Sequence, residues 1–302
     1  MLKLDKVRQV IYLVFALMIF NNVKGFSQQL KASPLIYYGT DENFVVNVSY
    51  SSSWEIIIQG GAEWVRIVDL PLKPFDNSRY IGTGNVSFNV DLIPNTTTSL
   101  RVAFLRISGS GAGSGGYSIV MIAQPPVGIN SQQISGNYKI FAAHSSKALD
   151  VLNESIQEYT PIVQNSGSLS LAQQFIFAPI GNGYHLIINK NSGTCVDLEL
   201  YDRESLVFTY DKNGTKIQLY PCLLNDNQQW ELEKIQNELY RIKSKISGKY
   251  LDIPNASLLD NTGLIQMECS GGRNQLFAIT PFDATSNTMP SNTISANLTC
   301  PG

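Results

Sequence analysis

Histidine and charge are both scarce in this sequence of 302 residues. With only two histidines, His144 and His185, a metal site or catalytic centre built on several histidines is nearly excluded. Charged residues make up 15% of the chain, and 22 basic residues balance 24 acidic ones. A nucleic-acid-binding protein would carry a basic stripe, so this balance argues against that class. The sequence has 23 glycines and many aromatic residues instead, a composition that favours a β-rich protein.

Long apolar runs are lacking as well. The N-terminus carries a run of eleven residues, Val10 to Phe20, after a basic start. A membrane span needs about 20 residues, so this run predicts a secretory signal peptide at residues 1–27, cut before Gln28. Cleavage after Gly25 is the alternative. Because no second long run follows, we expect a protein that is not integral to the membrane after cleavage, and that is secreted, periplasmic or cell-surface associated.

Short β-rich runs separated by turn residues occupy residues 28–126 and predict a small antiparallel β-sandwich. The runs begin at Phe44, Trp54, Trp64, Gly84, Leu100 and Tyr117. Trp54 and Trp64 are expected in its core, since large aromatic side chains in small sandwiches are usually buried. The glycine-rich segment 109–116 predicts a hairpin tip, because no Lys-Ser/Thr pair follows it as in a phosphate-binding loop.

The order of these features resembles the BACON family, the Bacteroidetes-associated carbohydrate-binding domain that is often N-terminal. The features run from Ser-Ser-Ser-Trp54 through Trp64-Val, Pro94-Asn95 and Arg101-Val-Ala to a last strand ending at Pro125. The resemblance covers most of residues 35–126 and implies an immunoglobulin-like sandwich. Since no cluster of exposed aromatic residues is evident as a sugar platform, we expect this unit to act as a spacer.

After a linker at residues 127–135, one pattern occurs three times within residues 136–281. Each copy has a tyrosine, an aspartate, a glutamine and a Gln-x-aromatic motif in the same order. The copies are Tyr138, Asp150, Gln164, Gln173, Phe175; Tyr184, Asp197, Gln218, Gln228, Trp230; and Tyr240, Asp252, Gln266, Gln275, Phe277. The Tyr-to-Asp spacing is 12, 13 and 12 residues, and only the Asp-to-Gln spacing varies strongly, at 14, 21 and 14. Three such units must share one core, which predicts a β-trefoil.

The Gln-x-Trp/Phe repeat resembles the ricin B-type lectin family, which implies a sugar-binding trefoil. A sugar site needs a carboxylate that accepts from hydroxyls, an amide, and an aromatic ring for the apolar C–H face. In the second repeat, the resemblance implies Asp197 as the carboxylate, Tyr220 as the stacking aromatic residue and Asn227 as the amide. Gln218 and Gln228 either orient Asp197 or reach the sugar.

The third repeat predicts a second, weaker carbohydrate site, formed by Asp252, Gln266, Asn274 and Gln275. Glu268 stands where the aromatic residue should be, and a carboxylate cannot stack on the C–H face of a sugar.

The first repeat is expected to have no working site, because Ser166 and Ala172 replace the aromatic residue and the asparagine. Its aspartate, Asp150, is nevertheless present. Part of the role of this aspartate is therefore structural, in turn hydrogen bonding. The functional prediction depends mainly on Tyr220 and Asn227.

Four cysteines in an oxidising compartment allow two disulfides. The resemblance implies a bridge within the second repeat, Cys195–Cys222. Pairing the remaining two gives Cys269–Cys300, which would tie the tail, residues 282–302, to the trefoil. The loop Leu200–Gly214 carries seven extra residues next to the predicted site. It either extends this site or blocks it.

Together, these features predict an all-β protein, an immunoglobulin-like β-sandwich followed by a β-trefoil. The predicted function is that of a secreted, non-enzymatic carbohydrate-binding protein whose partners are glycans, with no cofactor, metal or nucleic acid. The alternative is a trefoil that serves as a protein-interaction or inhibitor scaffold and keeps a vestigial sugar site, since one fold serves many functions.

Overall fold

A computed structural model describes residues 31–33, 36–38, 43–59, 61–70, 72–73, 76–97, 100–110, 117–124, 134, 136–205, 207–282, 288–289 and 299–300. The predicted signal peptide and most of the predicted linker and tail lie outside these residues. The described part is all-β, as predicted, and its helices are single 3-10 turns. These turns are Leu152–Glu154, Leu171–Gln173, Asp226–Gln228, Pro254–Ala256 and Arg273–Gln275. No described helix is long and apolar enough to cross a membrane.

Ten strands form two sheets in the N-terminal part of the chain. They are β1 (Lys31–Ser33), β2 (Ile36–Tyr38), β3 (Asn43–Ser49), β4 (Ser53–Gln59), β5 (Val65–Ile67), β6 (Leu72–Lys73), β7 (Asp76–Thr83), β8 (Val86–Leu92), β9 (Arg101–Ser110) and β10 (Tyr117–Gln124). One sheet has the order β1-β3-β8-β5, and the other has the order β2-β10-β9-β4-β7-β6. Each described pairing is antiparallel except that between β2 and β10.

One apolar cluster is shared by the two N-terminal sheets. Strand β4 contributes Trp54 and Ile56 at alternate positions, while Phe88 and Val90 alternate along β8 in the other sheet. This period of two follows from the pleat, which directs successive side chains to opposite faces. Trp54 and Trp64 are 2% and 4% exposed, so the prediction that both are core residues is confirmed.

Thirteen further strands build the repeat region. They are β11 (Gly136–Ala142), β12 (Ala148–Val151), β13 (Ile162–Asn165), β14 (Phe175–Gly181), β15 (Tyr184–Asn189), β16 (Cys195–Leu198), β17 (Ile217–Tyr220), β18 (Trp230–Gln236), β19 (Leu239–Ser244), β20 (Tyr250–Asp252), β21 (Thr262–Gly263), β22 (Ile265–Met267) and β23 (Phe277–Pro281).

Six of these strands close into a ring in the order β11-β14-β15-β18-β19-β23, with β23 pairing back to β11. The remaining pairs β12–β13, β16–β17 and β20–β22 form one hairpin in each repeat. A closed six-stranded ring with three hairpins is the β-trefoil arrangement that the repeats predicted. Closure leaves the ring without the unpaired strand edges that promote aggregation.

The trefoil core is formed by equivalent residues of the three repeats. Phe175, Trp230 and Phe277 are each 0% exposed and belong to one cluster with Phe177 and Ile279, and the partly buried Leu232 packs against it. The Trp230 indole N–H donates to the Val196 carbonyl at 3.0 Å. The core residue of the second repeat is thereby tied directly to the strand that carries Asp197.

The N-terminal sheets contact the trefoil through a smaller apolar cluster. Met121 and Ala123 of β10 lie with Ala178 of the first repeat and with Leu186 and Ile188 of the second, and the Cys195 and Cys222 side chains complete this cluster. Partly buried side chains of β9 pack against it. The spacer interpretation did not predict this contact, which brings β10 against the second repeat.

Candidate functional site

The second-repeat residues predicted to bind sugar come from three neighbouring segments. Strands β16 and β17 form a hairpin in which Asp197 faces Gln218 and Cys195 faces Tyr220. The 3-10 turn that precedes β18 supplies Asn227 and Gln228. All the predicted residues of this site therefore converge at one end of the hairpin.

Asp197 accepts hydrogen bonds from three buried amides. Gln218 Nε2 donates to its Oδ1 at 3.1 Å, and the Asn227 and Gln228 amides donate to its Oδ2 at 2.8 and 3.0 Å. The Asp197 side chain is 3% exposed, and burial raises the pKa of its carboxyl to about 7 although the three amides oppose this shift. Since Oδ1 accepts one amide and Oδ2 accepts two, Oδ1 has more capacity left for a ligand hydroxyl.

The glutamine of the Gln-x-aromatic motif has the same structural role in all three repeats. In Gln173, Gln228 and Gln275, Oε1 accepts the backbone N–H of the residue five positions earlier, at 2.7, 2.8 and 2.8 Å. The Nε2 atom of each donates to the carbonyl seven positions earlier, at 3.0, 2.8 and 2.8 Å. Gln228 therefore shapes the loop and orients Asp197, the first of its two predicted roles.

Asn227 has a structural counterpart in the third repeat. Asn227 Nδ2 also donates to the Leu198 carbonyl at 2.9 Å. Asn274 Nδ2 donates in the same way to Asp252 Oδ2 and to the backbone carbonyl of the next residue, both at 3.0 Å. The arrangement of Asn227 therefore does not distinguish the second repeat from the third, which leaves Tyr220 as the main difference between them.

The glutamine of the central hairpin differs between repeats. Gln164 and Gln266 donate to backbone carbonyls of a neighbouring repeat, and the distances are 2.7–3.0 Å. Gln218 is not their counterpart in the structure. It faces Asp197 and donates to it, whereas Val163 faces Asp150 and Ile265 faces Asp252. The third-repeat residues Asp252, Asn274 and Gln275 lie together, and burial raises the pKa of Asp252 to about 6. Gln266 is not among them, because its amide is bonded to the Tyr210 and Lys212 carbonyls.

Lysine salt bridges lie on the central hairpins of the first and third repeats, and among the described residues the second repeat has none at the corresponding position. Lys147 Nζ lies 2.6 Å from Asp260, beside Ser166. Lys249 Nζ lies 3.0 Å from the exposed Glu268 carboxylate. The second repeat has Thr194 at the position of these lysines.

The pairing register also corrects the predicted counterparts of Tyr220. Tyr220 faces Cys195, two residues before Asp197, and the corresponding residues are Asn165 and Met267 rather than Ser166 and Glu268.

Tyr220 contacts a tyrosine from the first repeat that sequence reasoning missed. The Tyr159 ring centroid lies 5.0 Å from that of Tyr220 at a tilt of 46°, and the two hydroxyl groups are 3.4 Å apart. The Arg203 guanidinium lies 3.6 Å from the centroid of the Tyr159 ring. Burial raises the pKa of Tyr220 and of Tyr159. The site is therefore built by two repeats and by the loop that carries the insertion.

Acidic side chains surround this contact. Burial raises the pKa of Glu158 and of Glu199, and Glu199 in turn disfavours the charged form of Asp197. Among the residues that the structure describes, no group of three or more His, Cys, Asp or Glu side chains could hold a metal ion.

Both predicted disulfides are formed. Cys195–Cys222 joins the start of β16 to the segment that follows Tyr220, and Cys269–Cys300 ties the end of the chain to the third repeat. Because Cys195 faces Tyr220 across the hairpin, the first bridge restrains the backbone on both sides of the candidate site.

Removing the first bridge should destabilise the trefoil and loosen the site. We expect the double substitution Cys195→Ala and Cys222→Ala to lower the free energy of unfolding by about 3 kcal/mol, because it frees a loop in the unfolded chain. Urea unfolding followed by circular dichroism measures this change. The control is Cys269→Ala with Cys300→Ala, a bridge of similar separation, 31 against 27 residues. Near-ultraviolet circular dichroism, which reports on the packing of the tyrosine rings, measures the loosening of the site. An equal loss of this signal in both double variants would contradict the local role of the first bridge.

Comparison with known proteins identifies one family. The family described as ricin-type beta-trefoil lectin domain-like matches residues 128–220 and 226–294, more than half of the chain. None of the curated proteins compared matches this chain.

Several solved structures are similar to this chain. The designed threefold-symmetric protein ThreeFoil is 34% identical over 49% of this chain and 99% of its own, with a TM-score of 0.45. The Rhizoctonia solani agglutinin is 15% identical over 51% of this chain and 99% of its own, with a TM-score of 0.44. An exo-beta-1,3-galactanase from Clostridium thermocellum is 19% identical over 80% of this chain and 56% of its own, with a TM-score of 0.45.

Proposed function

We propose that this chain, which belongs to the ricin-type β-trefoil lectin domain-like family, is a non-catalytic carbohydrate-binding protein. Its main site is in the second repeat. The observation that carries this proposal is the convergence of Asp197, its three amides and Tyr220 at one end of the β16–β17 hairpin. The third repeat, where Lys249 bridges Glu268, is the weaker site.

Sugar binding at this site would use two kinds of contact. The exposed part of the Tyr220 ring stacks against the C–H face of a pyranose. Asp197 Oδ1 accepts a hydrogen bond from a sugar hydroxyl, while Gln218, Asn227 and Gln228 hold the carboxylate in place. A single shallow site of this kind gives a Kd of roughly 0.1–1 mM for a monosaccharide. Useful avidity then requires repeated ligands or clustered copies of the protein.

A glycan array with matched variants tests this proposal. Wild-type protein should bind a defined set of glycans, and Asp197→Ala and Tyr220→Ala should each abolish that signal. Met267→Ala is the matched control, since Met267 faces Tyr250 in the third repeat as Tyr220 faces Cys195 in the second. If wild-type protein binds no glycan and instead retains a protein partner in the Asp197→Ala variant, the trefoil is the protein-interaction or inhibitor scaffold of the alternative reading.

We further propose that the N-terminal sheets are an immunoglobulin-like sandwich of the BACON type that carries the trefoil. Two sheets around one core support this assignment. Two of the residues that carry the resemblance are in contact, since the Arg101 guanidinium lies 4.7 Å from the centroid of the buried Trp64 ring. Export by the predicted signal peptide at residues 1–27 is proposed with it. Two disulfides fit such a route, because disulfides persist in oxidising compartments.

A further inference from the structure

The insertion in the second repeat folds as a small β-hairpin rather than as an open loop. The Asp202 N–H donates to the Val207 carbonyl at 2.9 Å, and the Thr209 N–H donates to the Leu200 carbonyl at 3.0 Å. The Asp202 carboxylate accepts the N–H groups of the next turn residues. This hairpin, described at residues 200–205 and 207–209, therefore has backbone hydrogen bonds that hold its side chains in fixed positions.

Three aromatic side chains line one face of this hairpin and of the residue after it. Tyr201 pairs with Phe208 across the hairpin, with ring centroids 6.4 Å apart and an interplanar angle of 72°. Phe208 lies 6.3 Å from Tyr210 at 77°. Phe208 is 66% exposed, so its ring is accessible to a ligand, whereas Tyr210 packs against the trefoil core.

This aromatic face is continuous with the second-repeat site. Arg203 extends from the hairpin over the Tyr159 ring, and Tyr159 contacts Tyr220. Tyr159 is also held by its backbone, since its N–H donates to the Leu219 carbonyl at 2.7 Å. An uninterrupted row of side chains thus leads from Tyr220 to the hairpin.

The backbone of Tyr159 shows that a tyrosine at this position is unusual. Thr160, Thr215 and Thr262 are equivalent, since each hydroxyl donates to the carbonyl three residues earlier, at 2.7, 2.9 and 2.8 Å. The residues that precede these threonines have φ values of 65° for Tyr159, 84° for Gly214 and 59° for Asn261. Glycine and asparagine tolerate this left-handed conformation, whereas a bulky residue is disfavoured there. The protein therefore has a tyrosine, Tyr159, at a position whose backbone conformation disfavours a bulky residue.

We propose that the hairpin extends the second-repeat site, so that the protein recognises a neutral oligosaccharide rather than a single sugar. In this inference, which rests on the proposed function, Phe208 contacts the further sugar units. Tyr159 and Arg203 are positioning residues that hold the hairpin beside Tyr220. The ligand is uncharged because three acidic side chains, Glu158, Glu199 and Asp202, outnumber the nearby cations Arg203 and Lys216 and disfavour an acidic sugar.

Affinity as a function of chain length tests this inference. The probes are β-linked galactose and β-linked glucose chains of one to four units, titrated calorimetrically into the full-length protein. For the series that binds, wild-type affinity should rise about 10-fold from one unit to three, a gain of about 1.4 kcal/mol. Phe208→Ala should keep the affinity for the monosaccharide and lose this gain. Leu259→Ala is the matched control, because Leu259 is 74% exposed on the corresponding loop of the third repeat.

A second variant separates the positioning role of Tyr159 from a general effect on folding. Tyr159→Asn installs the residue that the third repeat has at this φ, so the melting temperature should be unchanged or higher. It should nevertheless reduce the gain in affinity with chain length, because the hairpin loses its support.

Equal length dependence in wild type and Phe208→Ala overturns the inference and leaves the proposed function intact. Failure of wild type to bind either series, together with an empty glycan array, overturns both.

Discussion

Trp230→Ala is expected to lower the free energy of unfolding of the trefoil by about 3–5 kcal/mol, because a large buried side chain is removed and leaves a cavity. Trp230 is 0% exposed, and its place in the shared core means that all three repeats lose contacts. The substitution also leaves the Val196 carbonyl without its indole donor, next to Asp197. Urea unfolding followed by far-ultraviolet circular dichroism measures the change.

Trp54→Ala provides the matched comparison for this loss. Trp54 is 2% exposed in the other core, and its indole N–H donates to the Gly84 carbonyl at 2.8 Å. The two substitutions remove the same group from equally buried places, so Trp54→Ala should destabilise the N-terminal sheets and leave glycan binding intact. Trp230→Ala should weaken both stability and binding. A change below about 1 kcal/mol for Trp230→Ala would show that the trefoil core does not depend on this residue.

The trefoil could be predicted from the sequence because its signal is present three times in register. Phe175, Trp230 and Phe277 each follow a glutamine by two residues, and that glutamine makes the same backbone bonds in each copy. These bonds require a fixed number of residues between the hairpin and the aromatic residue. The spacing is therefore constrained by geometry, while the loop before Gln218 is not and could accept an insertion.

The details of the candidate site could not be predicted, since they arise between repeats. Tyr159 lies in the first repeat, and its contact with Tyr220 follows from the pairing of two different units. Aligning the repeats on the threonine after it would have shown Tyr159 at the position of Gly214 and Asn261. The spacing of the Asp and Gln residues carries no information about the salt bridges of Lys147 and Lys249. Lys147 pairs with Asp260 of the third repeat, whereas Lys249 pairs with Glu268 of its own hairpin.

Two features of the N-terminal sheets were not predicted, strand β7 and the contact with the trefoil. Strand β7 was not predicted, because its sequence DNSRYIGT has no sustained alternation of polar and apolar residues. The contact with the trefoil did leave a signal in β10. Val120, Met121, Ile122 and Ala123 are all 0–2% exposed, and a continuous apolar run is typical of a strand that is covered on both faces.

Asp197 is expected to make stability and sugar binding respond to pH in opposite directions. Its folded-state pKa of about 7 lies above the ordinary value of 3.8, so the folded protein holds a proton that the unfolded chain has released. The contribution of Asp197 to stability therefore falls as pH rises through this window, by about 4 kcal/mol in total. Binding requires the ionised carboxylate as hydrogen-bond acceptor, so affinity should rise about 10-fold per pH unit up to about pH 7.

The difference between wild type and Asp197→Ala isolates this carboxyl from other titrating groups. Burial lowers the pKa of His185 to about 4, so His185 destabilises the fold as pH falls and gives the opposite slope. Asp252, with a pKa raised to about 6, gives a slope of the same sign as Asp197.

Urea unfolding at intervals from pH 4 to pH 9 measures the free energy of unfolding of both proteins. The value for wild type minus that for Asp197→Ala should decline as pH rises. A sugar affinity that does not change between pH 5 and pH 8 would mean that the protonated carboxyl binds by donating instead. A declining stability difference with rising affinity would show that the buried carboxyl destabilises the fold in the ionised form that binds sugar.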